Sequence, residues 1–212
     1  MSPAHEERRA HFTRRLEAFC DIVFGLSLSQ LAFQLGVPTR VEQLVADPLR
    51  YLVFFGSFAI ICVLWLGHHQ MFRHFAAGRL DVFLNFVYLA FVALIPFAMN
   101  VYLHFAYSRI GLGIYALCFV GTTAPMTVLR VLGLRRDAAD MEAGERLTVY
   151  RGVIRGLFVA VAMLLALASL GLGAAFAPLP MLLIIPAMIV IRRKIRAVPA
   201  WILGHPEVPS TG

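Results

Sequence analysis

The chain of 212 residues is 60% hydrophobic and only 15% charged, and its 17 Phe residues outnumber its 12 acids. This excludes a disordered tail, a collagen-like fibre and an ordinary soluble domain, in which apolar usage is nearer half. It points to an integral membrane protein. The net charge is +7, but the cations fall in the breaks between apolar runs. There they read as topology signals, and no nucleic-acid partner is expected.

The first apolar run extends from about Phe19 to Val37, behind a polar start that carries Arg8, Arg9, Arg14 and Arg15. That start is too polar for a cleavable signal peptide, so the run is expected to stay as a helix. Pro38, Asp47 and Pro48 mark a loop. A second run, from Tyr51, ends at His68, His69, Arg73 and His74. The third, Val82 to Leu103, contains Asn85, Pro96 and Asn100, and the fourth spans Ile110 to Leu129. A charged stretch from Arg130 to Arg155 precedes the last run, Gly156 to Ile191. As one helix that run would be about 54 Å long, far thicker than a bilayer core. Pro178 and Pro180 offer a break, and Pro186 lies in the short helix that follows. The expectation is an all-α polytopic protein, a single domain over 1–212 with six transmembrane helices near 15–37, 50–72, 80–104, 110–131, 152–176 and 178–194.

Alternate sides of this plan hold sixteen and three of the Lys and Arg residues. The three are Arg40, Arg50 and Arg109, so the positive-inside rule places both termini in the cytoplasm of a cell (inner) membrane protein. Cys20, Cys62 and Cys118 lie inside apolar stretches without C-x-x-C spacing and read as small packing residues.

Polar groups inside spans are expensive and call for a functional or pairing explanation. The topology brings Asp21, Trp65, His68 or His69, and Asn85 to one depth near the inner leaflet. Such a network serves either as a structural clasp or as a proton relay. His68 and His69 point about 100° apart on a helix and cannot easily share an ion. No resident metal or cofactor is expected. A membrane enzyme built on these histidines would need a second His or acid cluster, which the sequence lacks, so an enzyme is not expected.

The outer half of the first helix is too polar to face lipid all round. Leu26, Ser29, Gln30 and Phe33 recur at helical spacing and form one stripe. That stripe either lines a pore with a hydrophobic constriction or forms a helix-packing seam. One striped helix cannot enclose a pore, so the pore reading requires several copies around an axis.

Arg15-Leu-Glu-Ala-Phe19-Cys20-Asp21 resembles the R-x-x-x-F-S-D signature of the transmembrane protein 175 family, which includes the lysosomal potassium channel. Ser57-Phe58, Trp65-x-x-His68-His69-x-x-Phe72, Leu84-Asn85 and Leu94-Ile95-Pro96-Phe97 resemble that family's later elements in order and spacing. The resemblance covers about Arg15 to Phe97. It implies a homotetramer in the lipid bilayer that passes monovalent cations, with potassium preferred as the permeant ion and first helices lining the pore. It further implies a constriction at Leu26, a hydroxyl layer at Ser29 and further layers at Gln30 and Phe33. It favours His68 over His69 in the clasp. Cys20 stands where the motif has Ser, and Gln30 where an aliphatic residue is expected. A proton or weakly selective cation pathway, or a non-conducting membrane assembly, are the alternatives.

Overall fold

The computed structural model describes residues 3–36, 39–42, 48–72, 75, 78–105, 108–169, 189–191, 193–199 and 202. Among these, five long helices follow one another: α1 (Pro3–Leu35), α2 (Pro48–Phe72), α3 (Arg79–His104), α4 (Arg109–Asp137) and α5 (Ala143–Ser169). Four segments are long and apolar enough to cross a bilayer: Glu7–Leu35, Arg79–Val101, Arg109–Asp137 and Ala143–Ser169. Ser57–Phe72 of α2 is a shorter apolar helix. The expected sixth helix near 178–194, with its proline break, lies largely outside the described residues.

Hydropathy locates the lipid boundary, and the helices run past it. α1 starts at Pro3 rather than near residue 15, because nothing breaks the chain between Pro3 and Arg15 and proline suits a first helical turn. α4 continues to Asp137 and α5 begins at Ala143, so both project beyond their apolar cores as a charged hairpin. That hairpin closes where the Asp137 carbonyl accepts the N–H groups of Asp140 and Met141. α1 ends at Gly36, whose φ of 61° is left-handed and costs a glycine little.

α1 packs on α2 and α3, α3 on α4, and α4 on α5. One core joins Leu16, Cys20, Phe24 and Leu31 of α1 to Ile61 of α2 and to Tyr88, Val92 and Ile95 of α3. A second joins Ala98 to Leu112, Tyr115 and Phe119 of α4 and to Met163 and Ala166 of α5. A third, at the hairpin end, gathers Leu134, Met141, Tyr150, Val153 and Ile202. α5 approaches α4 through Gly152 and Gly156, which sit against Arg130 and Thr127 and leave no room for a Cβ. At the start of α3, buried Asp81 accepts the Gly78 N–H at 3.2 Å and Arg136 Nη1 at 2.6 Å, tying α3 to the end of α4.

Candidate pore helix and its clasp

Three side chains of α1, within one and a quarter turns, reach polar partners on α2 and α3. Asn85 on α3 is fully buried. Its Oδ1 can only accept, so the His68 Nε2 at 2.7 Å is the donor. Its Nδ2 is thereby free to donate to Cys20 Sγ at 3.4 Å. His68 is also buried, and its ring stacks on Tyr88 at 5.3 Å between planes only 4° apart. The Tyr88 hydroxyl donates to the Leu64 carbonyl at 3.1 Å, fastening α3 to α2.

Asp21 takes a separate partner. Trp65 Nε1 donates to its Oδ1 at 2.8 Å, at the exposed edge of the helix pair. One turn earlier, Glu17 Oε1 meets His69 Nδ1 at 3.2 Å, and the His69 ring stacks on Trp65. The structure therefore brings together Cys20, Asp21, Trp65, His68, His69 and Asn85 as two parallel links. The inner link is Cys20–Asn85–His68. The outer link is Asp21–Trp65 with Glu17–His69. The expected single cluster around Asp21 is divided because Cys20 and Asp21 point about 100° apart. His68 is the partner of Asn85, and His69 serves the outer link. Glu17 carried no signal in the sequence beyond lying four residues before Asp21. Arg15 and Phe19 are exposed, and the Phe19 ring meets Phe86 edge-on at 6.0 Å. No group of three or more His, Cys, Asp or Glu side chains with metal-site geometry occurs among the described residues.

Among the described residues, the outer half of α1 leaves its other face largely exposed. Leu26 is 61% exposed and Phe33 83%, and Ser29 and Gln30 are exposed beside them. Counted at 100° per residue, Arg15, Phe19 and Ile22 fall on the same side as Leu26. Ile22, 60% exposed and one turn before Leu26, was not singled out by the sequence, although its i−4 position carried the signal. Ser29, itself exposed, bonds its hydroxyl back to the Gly25 carbonyl at 2.9 Å. Ser27 does the same to Val23 at 2.8 Å but on the packed side. Leu31, which lies off the stripe, is only 4% exposed and belongs to the first core. Among the described residues, the outer half of α1 thus has a packed face and an exposed face.

Residues 15–96, the segment that carries both links and the stripe, match the family model described as endosomal/lysosomal potassium channel TMEM175. A protein of Chamaesiphon minutus named a potassium channel is 28% identical over 153 residues, covering 62% of this chain and 74% of that protein. A potassium channel of Streptomyces collinus is 34% identical over 89 residues, 39% of this chain and 43% of its own length. The human endosomal/lysosomal proton channel TMEM175 is 35% identical over 99 residues, but the match spans only 20% of that longer protein. Among solved structures, a variant of the potassium channel MtTMEM175, in complex with a nanobody–MBP fusion, superposes with a TM-score of 0.64. It covers 84% of this chain and 91% of its own at 18% identity, a likeness of fold. Over residues 15–96 the ordered motifs of the first three helices thus match the TMEM175 family model, and the fold is similar to that of a TMEM175 potassium channel.

Proposed function

We propose that this chain assembles as a homotetramer in the cell (inner) membrane and conducts monovalent cations with a preference for potassium, each subunit lining the pore with α1. The single observation that carries this reading is the free face of α1. Large apolar side chains at Ile22, Leu26 and Phe33, interrupted by Ser29 and Gln30, stand exposed on a helix whose other face is packed. Copies of that face around an axis bury it against itself and enclose a path.

In this reading four Leu26 side chains form the narrowest ring. An aliphatic ring offers a cation nothing to replace its hydration shell and can empty of water, so the ion passes only when the ring is wide enough to stay wet. Ser29 and Gln30 then supply oxygens immediately outside the ring. The two links hold α1 against α2 and α3 so that the ring keeps its radius. No resident cofactor takes part, and potassium is the permeant species. Both termini lie in the cytoplasm and the chain crosses six times, which side-specific labelling of cysteines placed at Leu44 and Thr211 tests. The relatives named potassium channels support the choice of ion.

A proton or weakly selective cation pathway is the second reading. The amide at Gln30 favours it by hydrating the region beside Leu26, and the vertebrate relatives are named proton channels. Liposomes with a potassium gradient and a membrane-potential dye separate the readings. Potassium-selective flux generates a Nernstian potential, whereas a pathway for protons alone gives none under the potassium gradient and changes the lumenal pH only once valinomycin supplies a potassium leak.

A further inference from the structure

Two arginines mark the edges of the apolar parts of α4 and α5. Arg130 follows the run that ends at Leu129, and Arg155 precedes the run that begins at Gly156. Because α4 and α5 are joined by a short turn and pack side by side, both arginines sit at one membrane boundary. Both line a cavity of about 290 Å³ between α2, α4 and α5. Gln70 and Thr123 add neutral polar groups, and Val63 and Leu66, exposed on the outer face of α2, form its apolar lip.

Neither arginine is paired with a carboxylate among the described residues. Arg130 donates from Nη1 to the Gly152 carbonyl at 3.2 Å and from Nη2 to the Gly67 carbonyl at 3.4 Å. Those bonds aim it: a Cβ at Gly67 would lie 2.8 Å from Nη2, and one at Gly152 2.9 Å from Nε. Arg155 makes one bond, from Nε to the Arg151 carbonyl of its own helix at 3.3 Å. A guanidinium has five N–H donors, so each retains donors for a further acceptor. Two cations with no ion-pair partner in contact among the described residues are costly at an apolar boundary unless an anion meets them. Glu142 and Glu145 line an adjoining wider cavity toward the hairpin, and Arg130, Arg155 and Gln70 line both cavities. Glu145 is ten residues from Arg155, about 15 Å along the helix.

We propose that the cavity between α2, α4 and α5 binds the phosphate headgroup of an anionic phospholipid, held by Arg130 and Arg155. The cavity's position selects a lipid over a free anion. It lies at headgroup depth, lacks an acid of its own, and opens beside apolar side chains along which an acyl chain can run. Arginine suits the phosphate because its planar fork meets two oxygens at once. Basic pockets between membrane helices are a recurrent way of holding such headgroups.

The test uses the full chain in neutral detergent, titrated with a short-chain phosphatidylglycerol while its thermal transition is followed. The expected result is a saturable rise in the transition with phosphatidylglycerol, and none with phosphatidylcholine of equal chain length or with inorganic phosphate. Arg155→Gln, whose native side chain bonds only its own helix, weakens half-saturation by about tenfold, the loss expected for one charged hydrogen-bonding partner. Gln70→Glu places a carboxylate in the cavity at an exposed position and abolishes the response without touching either arginine. Equal stabilisation by phosphatidylcholine, equal stabilisation by inorganic phosphate, the absence of any response, or an unchanged half-saturation in both variants each overturns the proposal. None of these readouts depends on conduction, so the lipid site and the channel stand or fall separately.

Discussion

Replacing Asn85 with Ala tests whether the inner link holds α1 against α2 and α3. Asn85 is fully buried and joins three helices through His68 and Cys20. Alanine removes the acceptor of the His68 N–H, and leaving such a buried donor unsatisfied costs about 1–3 kcal/mol. The second contact is a long bond to a weakly accepting sulfur, worth no more than the average of about 0.6 kcal/mol for side-chain bonds between membrane helices. Loss of the fully buried amide also leaves a small void. A net cost of about 2 kcal/mol follows, which for a chain of this size lowers the thermal transition by about 4–8 °C. Size-exclusion chromatography of heated, detergent-solubilised samples reads this directly. Cys20→Ala removes only a long, weak acceptor of the Asn85 amide N–H and should shift the transition less. If Asn85→Ala melts with the parent, or if Cys20→Ala costs as much as Asn85→Ala, the energetic account of the inner link is wrong.

Asp21→Asn keeps the acceptor for Trp65 Nε1 and should leave stability within about 1 kcal/mol of the parent, whereas Asp21→Ala loses a hydrogen bond to a charged group and should cost about 1.5–3 kcal/mol, both measured by thermal unfolding in detergent. Arg136→Ala strips buried Asp81 of its cation and leaves it, among the described residues, the Gly78 N–H. An apparent cost of about 2 kcal/mol is expected in the same assay, discounted because the arginine is itself a third exposed. Gly67→Ala crowds the Arg130 guanidinium that the glycine cradles, and should destabilise more than Gly113→Ala, where a Cβ meets nothing within 4 Å; differential scanning fluorimetry compares the two.

Much of the fold was legible because hydropathy and polar interruptions carry it. Apolar runs located the helices, and Asp21, Trp65, His68 and Asn85 stood out as polar residues too costly to leave unpartnered. Their pairing was less legible. Depth along the membrane brings all four together, but only side-chain direction assigns Asn85 to His68 and Asp21 to Trp65. Helix ends were misjudged where charge was read as a stop: Arg8 to Arg15 and Arg146 to Arg155 are helical outside the apolar core, since a charged residue ends a membrane span without ending a helix. Leu31 reads as an innocuous position off the stripe, yet the structure packs it in the core, because a helix that leaves one face free buries the other. Ala32, exposed and about 120° from Leu26, is the proper off-stripe comparison. Arg130 and Arg155 read as topology signals alone, since nothing in a linear pattern shows two span boundaries meeting across a cavity.

The central claim is that the free face of α1 lines a cation path narrowed at Leu26. It is tested most directly by potassium flux in liposomes reconstituted with the parent chain, Leu26→Ser and Ala32→Ser at equal oligomer content. The account predicts a potassium-driven potential in the parent. It predicts flux about tenfold higher in Leu26→Ser, equivalent to roughly 1.4 kcal/mol off the barrier, with potassium-over-sodium discrimination reduced and Ala32→Ser unchanged. Intact oligomers whose flux and selectivity are the same for Leu26→Ser as for the parent would contradict it and make the stripe a packing seam.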